Sequence, residues 1–228
     1  MTYILAIETA TKVCSVALFK NAELLNFKEE DGSYAHAEKL AVFVQELMQS
    51  AGIDYSELHA VVVSKGPGSY TGLRIGVSFA KGLCYAQNIP LIAVNTLEGM
   101  TCGVLPQISQ KNALLCPMID ARRMEVYTAL FDQSLNELEP TATKVIDNNF
   151  FSSETLNRPI YVFGDGAEKS TSVLNHPNIH LLKEFQPSAR YLGAIGMQKY
   201  QDNNFEELAY FEPYYLKEFL AGKPKKLV

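Results

Sequence analysis

The strongest constraint on this chain is a repetition. Ile7-Glu8 is followed by Ala17-Leu18-Phe19, and Ile119-Asp120 by Ala129-Leu130-Phe131, and one spacing carries every residue of the first set onto the second. Two apolar hairpins can look alike by chance. The other reading is an ancient duplication, in which each half opens with an acid-tipped strand that folds back as a hairpin. The polar stretch from Pro106 to Asn112 is then the boundary. It gives an N-terminal half, 1–106, and a smaller C-terminal half, 107–228, whose last residues are able to pack back on the first.

The local pattern fills in the elements. Tyr3–Glu8 reads as an apolar strand, and Ser15–Lys20 and Glu23–Lys28 flank Asn21-Ala22 as a tight hairpin. Residues 29–34 are a polar loop. Ala35–Ser50 is an amphipathic helix with Leu40, Phe43, Val44, Leu47 and Met48 on one broad face, ended by Gly52. Val61, Val62 and Val63 are β-branched and lie between turn formers, which makes a buried strand. Gly66-Pro67-Gly68 breaks it, and Ser69, Tyr70 or Thr71 can cap a helix running to about Ala86. Pro90–Asn95 is a further strand and Thr96–Val104 a short helix. This order builds a mixed sheet flanked by helices, an α/β architecture. The second half is less regular. Lys144–Ile146 reads as an edge strand. Ile160–Phe163 runs into a Gly164-Asp165-Gly166 turn and a helix near Ala167–Leu174, followed by strand Ile179–Leu182 and helix Ser188–Tyr200.

Composition narrows the class. With 228 residues, 47% hydrophobic and 20% charged, the chain can bury a sizeable core and reads as soluble and globular. A net charge of −5 argues against a surface that grips nucleic acid on its own, because phosphate binding needs clustered Lys and Arg. The basic cluster visible in the sequence is the tail, Lys223, Lys225 and Lys226, read as a solvated terminus. Cys14, Cys84, Cys102 and Cys116 show no Cys-x-x-Cys spacing and fit free thiols in a reducing compartment. Acidic Glu8 interrupts the short apolar N-terminus, so no signal peptide is read, and no apolar run approaches the ~20 residues that span a bilayer. The expectation is a cytoplasmic protein without a membrane partner.

Gly72, Gly76 and Ala80 fall at steps of four on one helix face. Glycine in a helix costs ~1 kcal/mol relative to alanine, so two of them imply a packing need. Close approach to a sheet or another helix is one reason. An anion cradle at Gly66–Gly68, at the helix N-terminus, is the other, though the Lys-Ser/Thr of a P-loop is missing.

As a whole string, Ser64-Lys-Gly-Pro-Gly-Ser-Tyr-Thr-Gly-Leu-Arg-Ile-Gly76 closely resembles the signature of the bacterial TsaB family of tRNA threonylcarbamoyladenosine biosynthesis proteins. So do Ala6-Ile-Glu-Thr9, Asp120-Ala-Arg-Arg-Met-Glu-Val-Tyr127 and Pro213-Tyr-Tyr-Leu216, and the likeness spans most of the chain. The resemblance implies the duplicated fold of actin, the heat-shock ATPases and the sugar kinases, with mixed sheets flanked by helices, in agreement with the repetition. In that superfamily an Asp at each first strand tip faces ATP-bound metal or the attacking water. Those places hold Glu8 and Asp120 here. Glu8 stands where Asp is commoner in the family, and Lys217 where Arg often follows the Tyr-Leu pair.

The loops after the two acids should be glycine-rich for backbone amides to reach phosphates. Thr9-Ala-Thr-Lys-Val13 and Ala121-Arg-Arg-Met124 contain no glycine, although Arg122 can attract phosphate. Glu8, Thr9, Asp120 and Arg122, with Gly164 and Gly166 at the place of the adenosine turn, therefore form at most a vestigial nucleotide or phosphate region. The plainer readings are strand-end caps, ion pairs with Lys12 or Arg122, and a simple turn. The TsaD-type paralogue carries a metal-binding His-x-x-x-His pair where this chain has Thr96 and Met100, a poor ligand and a soft thioether. His176 and His180 share the i,i+4 spacing, but Pro177 lies between them. No metal site is expected. Some members of this fold carry a glycoprotease (peptidase M22) label. No Gly-x-Ser-x-Gly elbow and no Cys near a His supports one here.

The resemblance also implies a job. TsaB-family proteins are noncatalytic partners of the TsaD-type transferase that threonylcarbamoylates the adenosine next to the anticodon. The chain is expected to bind and stabilise that enzyme, to help recruit the TsaE-type ATPase, to meet tRNA through the complex, and to rest as a homodimer. No cofactor is expected to bind tightly, while ATP or ADP has a possible place at the complex interface. The expected interface is the helix pair, through Leu40, Phe43, Val44 and Leu47 of one and Leu73, Gly76, Val77 and Ala80 of the other. A helix lying on a sheet needs an apolar stripe as well, and the pattern does not separate the two uses. The alternative is an active small-molecule kinase or ATPase of the same superfamily, which needs the glycine-rich phosphate loops.

Overall fold

The computed structural model describes residues 1–32 and 35–217. The first sheet comprises β1 (Tyr3–Glu8), β2 (Val13–Lys20), β3 (Glu23–Asp31), β4 (Leu58–Gly66) and β5 (Leu91–Asn95), in the order β3-β2-β1-β4-β5. The hairpin strands are antiparallel, and β4 and β5 run parallel to β1. Asn21 and Ala22 turn the hairpin with φ of 49° and 69°. Helices α1 (Ala35–Ala51) and α2 (Tyr70–Gln87) are the parallel crossovers, and α3 (Thr96–Val104) follows β5.

The second sheet repeats the first strand for strand. It comprises β6 (Leu114–Asp120), β7 (Glu125–Phe131), β8 (Glu137–Val145), β9 (Ile160–Phe163) and β10 (Ile179–Leu182), ordered β8-β7-β6-β9-β10 with the same directions. This is the duplicated, mixed-sheet architecture that the repetition predicts. A final helix, α4 (Gly193–Gln201), follows β10 as α3 follows β5.

The second half departs from expectation in three places. The helix expected near Ala167–Leu174 is a 3-10 turn, Glu168–Ser172. Ser170, Thr171 and Ser172 bond back to the carbonyls of Ala167, Glu168 and Lys169 at 2.6, 2.7 and 3.1 Å, a local alternative to a full helix. Strand β8 is longer than Lys144–Ile146 because it lies at a sheet edge, where Pro140 is tolerated beside a shift in register. The segment 188–200 is a 3-10 turn, Ala189–Tyr191, followed by α4. Ser188 Oγ accepts from the Arg190 amide at 3.3 Å.

Each half is covered by a helix of the other. On one face of the first sheet, Leu5, Ile7, Leu18, Val61 and Val63 pack under α1 and α2. On its opposite face, Ile4, Ala6, Phe19, Val62, Ile92 and Val94 pack against Ala189, Leu192, Ile195 and Met197 from the end of the second half. Conversely, Leu97, Met100 and Val104 of α3 pack with Leu115, Ile119, Phe131 and Phe163 of the second sheet.

The expected interface residues need correction. Leu40, Val44, Leu47, Leu73, Val77 and Ala80 are at most 3% exposed and belong to the interior. Gly76 is buried as well, and Phe43 alone among them is half-buried. The apolar stripe of each helix is taken up by the sheet beneath it. Cys14, Cys84 and Cys116 are buried free thiols, pushed by burial up to about 11, 12 and 12. Among the described residues no helix is long and apolar enough to cross a membrane.

Candidate functional site

The loop after β1 and the end of β6 meet at a cleft of about 880 Å³ between the halves. One wall is the β1–β2 loop with the N-terminus of α2, and the other is the β6–β7 loop. Glu8 does not open onto it. Its side chain is 1% exposed, and Oε1 accepts from the Ala10 amide at 2.6 Å. Burial lifts its pKa to about 7 against the hydrogen bonds it accepts. Behind it the hydroxyls of Ser64 and Thr96 lie 2.6 Å apart in the interior.

The small-residue face of α2 has a visible purpose. It closes over the β1–β2 loop. Ser69 N donates to Ala10 O at 2.6 Å, and Thr9 Oγ1 donates to Gly72 O at 2.8 Å. A Cβ on Gly68 would stand 2.3 Å from Ala10 O, and one on Gly72 2.1 Å from Thr9 O. A Cβ on Gly76 would stand 2.2 Å from Thr9 Oγ1. The anion cradle considered for Gly66–Gly68 is thus filled by the chain itself.

On the other wall, Asp120 is exposed. Its Oδ1 accepts from the Arg122 amide at 3.0 Å and pairs with Lys169, rather than with Lys12 or the Arg122 side chain. Lys169 also donates to the carbonyls of Arg123 and Glu125 at 2.9 and 2.6 Å, so it pins the whole loop. The Asp120 amide donates to Asp165 Oδ1 at 2.9 Å. Gly164 takes φ 103°, which favours glycine, and is packed so that a Cβ would meet Met118 O at 2.4 Å and Met100 Cε at 2.6 Å. Gly166 is packed against Ile119 and Val126. Of this turn only Asp165 lines the cleft.

The fit to a nucleotide can now be judged. A polyphosphate cradle needs free backbone amides converging on one point. Here the amides of Ala10, Ser69, Asp120, Ala121 and Arg122 are all engaged within the chain. The loops do not fit such a cradle. Thr96 and Met100, at the places of the paralogue's histidines, are both buried. His180 sits in β10 with its ring 5.1 Å from that of Tyr161, and His176 precedes the strand, so the two share no helix face. Among the described residues no cluster of three or more His, Cys, Asp or Glu is gathered for a metal.

Two features of the cleft go beyond what the sequence alone shows. The first is the segment 213–217, which stitches the halves together. Tyr214 N donates to Lys65 O at 2.7 Å, Arg74 Nε donates to the Tyr215 hydroxyl at 3.2 Å, and the Tyr70 and Tyr215 rings lie 4.7 Å apart. Lys217 reaches the other wall, donating to Ala121 O at 3.1 Å and pairing with Glu125. In the sequence it is marked by the Pro213-Tyr-Tyr-Leu216 string and by the expectation that the last residues pack back on the first half. The second is that Lys12, Arg122 and Arg123 meet at the cleft from opposite halves. Away from the cleft, Phe43 of α1 and Phe79 of α2 remain half-buried and Val42 is 44% exposed, while half-buried Ile75 lines the cleft.

Comparison with known proteins agrees on one family. The family model described as TsaD: tRNA N6-adenosine threonylcarbamoyltransferase matches residues 29–216. The tRNA threonylcarbamoyladenosine biosynthesis protein TsaB of Escherichia coli K12 is 30% identical, over 96% of this chain and 96% of that protein. The TsaB of Bacillus subtilis 168 is 32% identical over 71% of this chain and 70% of that protein. A Pseudomonas aeruginosa structure described as similar to the peptidase YeaZ superposes with a TM-score of 0.83 at 25% identity, over 95% of this chain and 100% of that one.

Proposed function

This chain belongs to the TsaB family of tRNA threonylcarbamoyladenosine biosynthesis proteins, and from that premise we propose that it works there as a noncatalytic, cytoplasmic scaffold subunit. It binds and stabilises the TsaD-type transferase, helps recruit the TsaE-type ATPase, and meets tRNA through that complex. One observation carries this reading. In the loops that hold nucleotide in an actin-like ATPase, the amides of Ala10, Asp120, Ala121 and Arg122 are engaged inside the chain, and α2 closes over the first loop. That arrangement supports a role in holding a partner rather than in turning over ATP. A nucleotide, if one takes part, is better held where a partner completes the site.

The docking surface is the outer side of α1 and α2, with Phe43 and Phe79 at its centre. The same surface pairs two copies of the chain when the transferase is absent. Half-buried apolar groups gathered on a helix pair suit a matching pair from another chain. The test is light scattering after gel filtration, with the chain alone and mixed with the transferase of the same cell. A homodimer that gives way to a heterodimer is expected. Phe43→Glu or Phe79→Glu should abolish both while leaving the circular dichroism unchanged. A glutamate at Leu73 or Val77 is no such test, because it would bury a charge in the core. Failure to associate under any nucleotide condition, together with ATP turnover by the pure chain, would replace this reading with the kinase or ATPase one.

A further inference from the structure

The charges of the cleft do not follow those of the chain. The whole protein carries −5. Of the acids that line the cleft, Asp120 is paired with Lys169 and Glu125 with Lys217, and Asp165 accepts from a backbone amide. Lys12, Arg122 and Arg123 are exposed on its two walls. Among the described residues no ion pair or hydrogen bond engages their side chains. Arg122 and Arg123 also stand next to each other at φ 69° and 50°, a conformation that Asn or Gly adopts at less cost. The turn therefore carries two adjacent guanidinium groups where smaller residues would fold more easily.

Tyrosines lie beside these cations. Tyr70, Tyr127, Tyr214 and Tyr215 line the same cleft; Tyr70 packs on Tyr215 with Arg74 over its ring, Lys217 lies over Tyr127, and Tyr214 is 39% exposed. Unpaired cations along a groove, with aromatic faces among them, are what a single-stranded nucleic acid uses: charges for the phosphates and rings for the bases. A nucleoside polyphosphate makes a different demand. Its phosphates sit on one point and call for converging amides, which these loops have engaged elsewhere. Long side chains on two facing walls suit phosphates that are spread along a strand.

We propose that the cleft between the halves binds a single-stranded segment of RNA, with Lys12, Arg122 and Arg123 on its phosphates and Tyr214 against a base. The proposal rests on the family reading above, which supplies RNA as the substrate class. It is tested by fluorescence anisotropy of a labelled, unmodified tRNA transcript titrated with the chain across a range of salt concentrations. The comparison is with Arg122→Asn/Arg123→Asn, since Asn relaxes the left-handed turn and keeps the fold. The variant should bind at least about tenfold more weakly, the equivalent of ~1.4 kcal/mol. Its log–log salt dependence should be shallower by about 1.4, at ~0.7 per lost phosphate contact to a single strand. Millimolar ATP should not displace the RNA. Equal affinity in variant and wild type, displacement by ATP, or no binding by the wild type at low salt would each overturn the proposal. Light scattering of the variant with the transferase is run alongside. Intact assembly with lost RNA binding separates this site from the docking surface, and lost assembly in the wild type would count against the family role itself.

Discussion

Glu8 shows how burial changes what an acid does. Its carboxyl titrates near 7 in the folded protein and near 4.5 when exposed, so the folded state holds the proton more tightly between those values. The contribution is sign-definite. It favours the fold at low pH and fades as pH rises through 7, by roughly 3 kcal/mol when ionisation is complete. Glu8→Gln should therefore gain stability over the wild type at pH 8 but not at pH 5, in urea denaturation at the two values. It should also leave tRNA modification intact, because the side chain does not reach the cleft. The glycines of α2 make a second contrast. Gly72→Ala would drive a Cβ to 2.1 Å from a backbone carbonyl and should cost about 1–3 kcal/mol. Gly82 has open space around its Cβ position, and Gly82→Ala should gain roughly 0.5–1 kcal/mol. Urea midpoints should move in opposite directions. The sequence spacing of Gly72, Gly76 and Ala80 revealed a close approach, but not that the thing approached was the Thr9-Ala10 loop.

Helix α2 begins at a cap and is held by it. Ser69 Oγ accepts the Gly72 amide at 3.2 Å. Ser69→Ala should cost about 1 kcal/mol, and a melting curve should fall by roughly 2–4 °C in a chain of this size. Such elements were legible where local chemistry agreed with the fold. The stripes of α1 and α2, the Asn21-Ala22 hairpin and α3 all follow from periodicity and turn residues. What periodicity could not give was direction. Leu47 and Val77 satisfy the spacing of a sheet-facing stripe and of a docking stripe equally, and only the sheet beneath them settles which it is. The second half was harder to read. The run Ser170-Thr171-Ser172 has hydroxyls that compete for the backbone, and β8 carries a proline that only an edge strand admits. The basic trio of the cleft was invisible, since Lys12 is far along the chain from Arg122 and Arg123 and nothing local joins them.

At the scale of the whole molecule, the exchange of α3 and α4 makes two repeats into one folding unit. A polar network reinforces it. Glu29 Oε1 accepts from Arg190 Nη2 at 2.9 Å, Glu29 Oε2 accepts from Ser188 Oγ at 2.6 Å, and the Ala189 amide donates to Ser15 Oγ at 3.0 Å. Thermal unfolding should be a single transition by calorimetry and by circular dichroism. A chain ending at residue 187 should lose that transition entirely, because Ile4, Ala6, Val62, Ile92 and Val94 are left without cover. Two separate melts, or a folded truncation, would show the halves to be independent. The same exchange bears on how the protein is made. The ribosome delivers β1 long before α4, and it works at about 5–20 residues per second. The first sheet is complete at Asn95 and α4 begins only at Gly193, so the sheet waits for seconds with one oily face open, while a nascent chain can stick to its neighbours. Its folding is timed by the arrival of α4, so a chain stalled or terminated before that helix is a hazard to the cell and a natural client for chaperones.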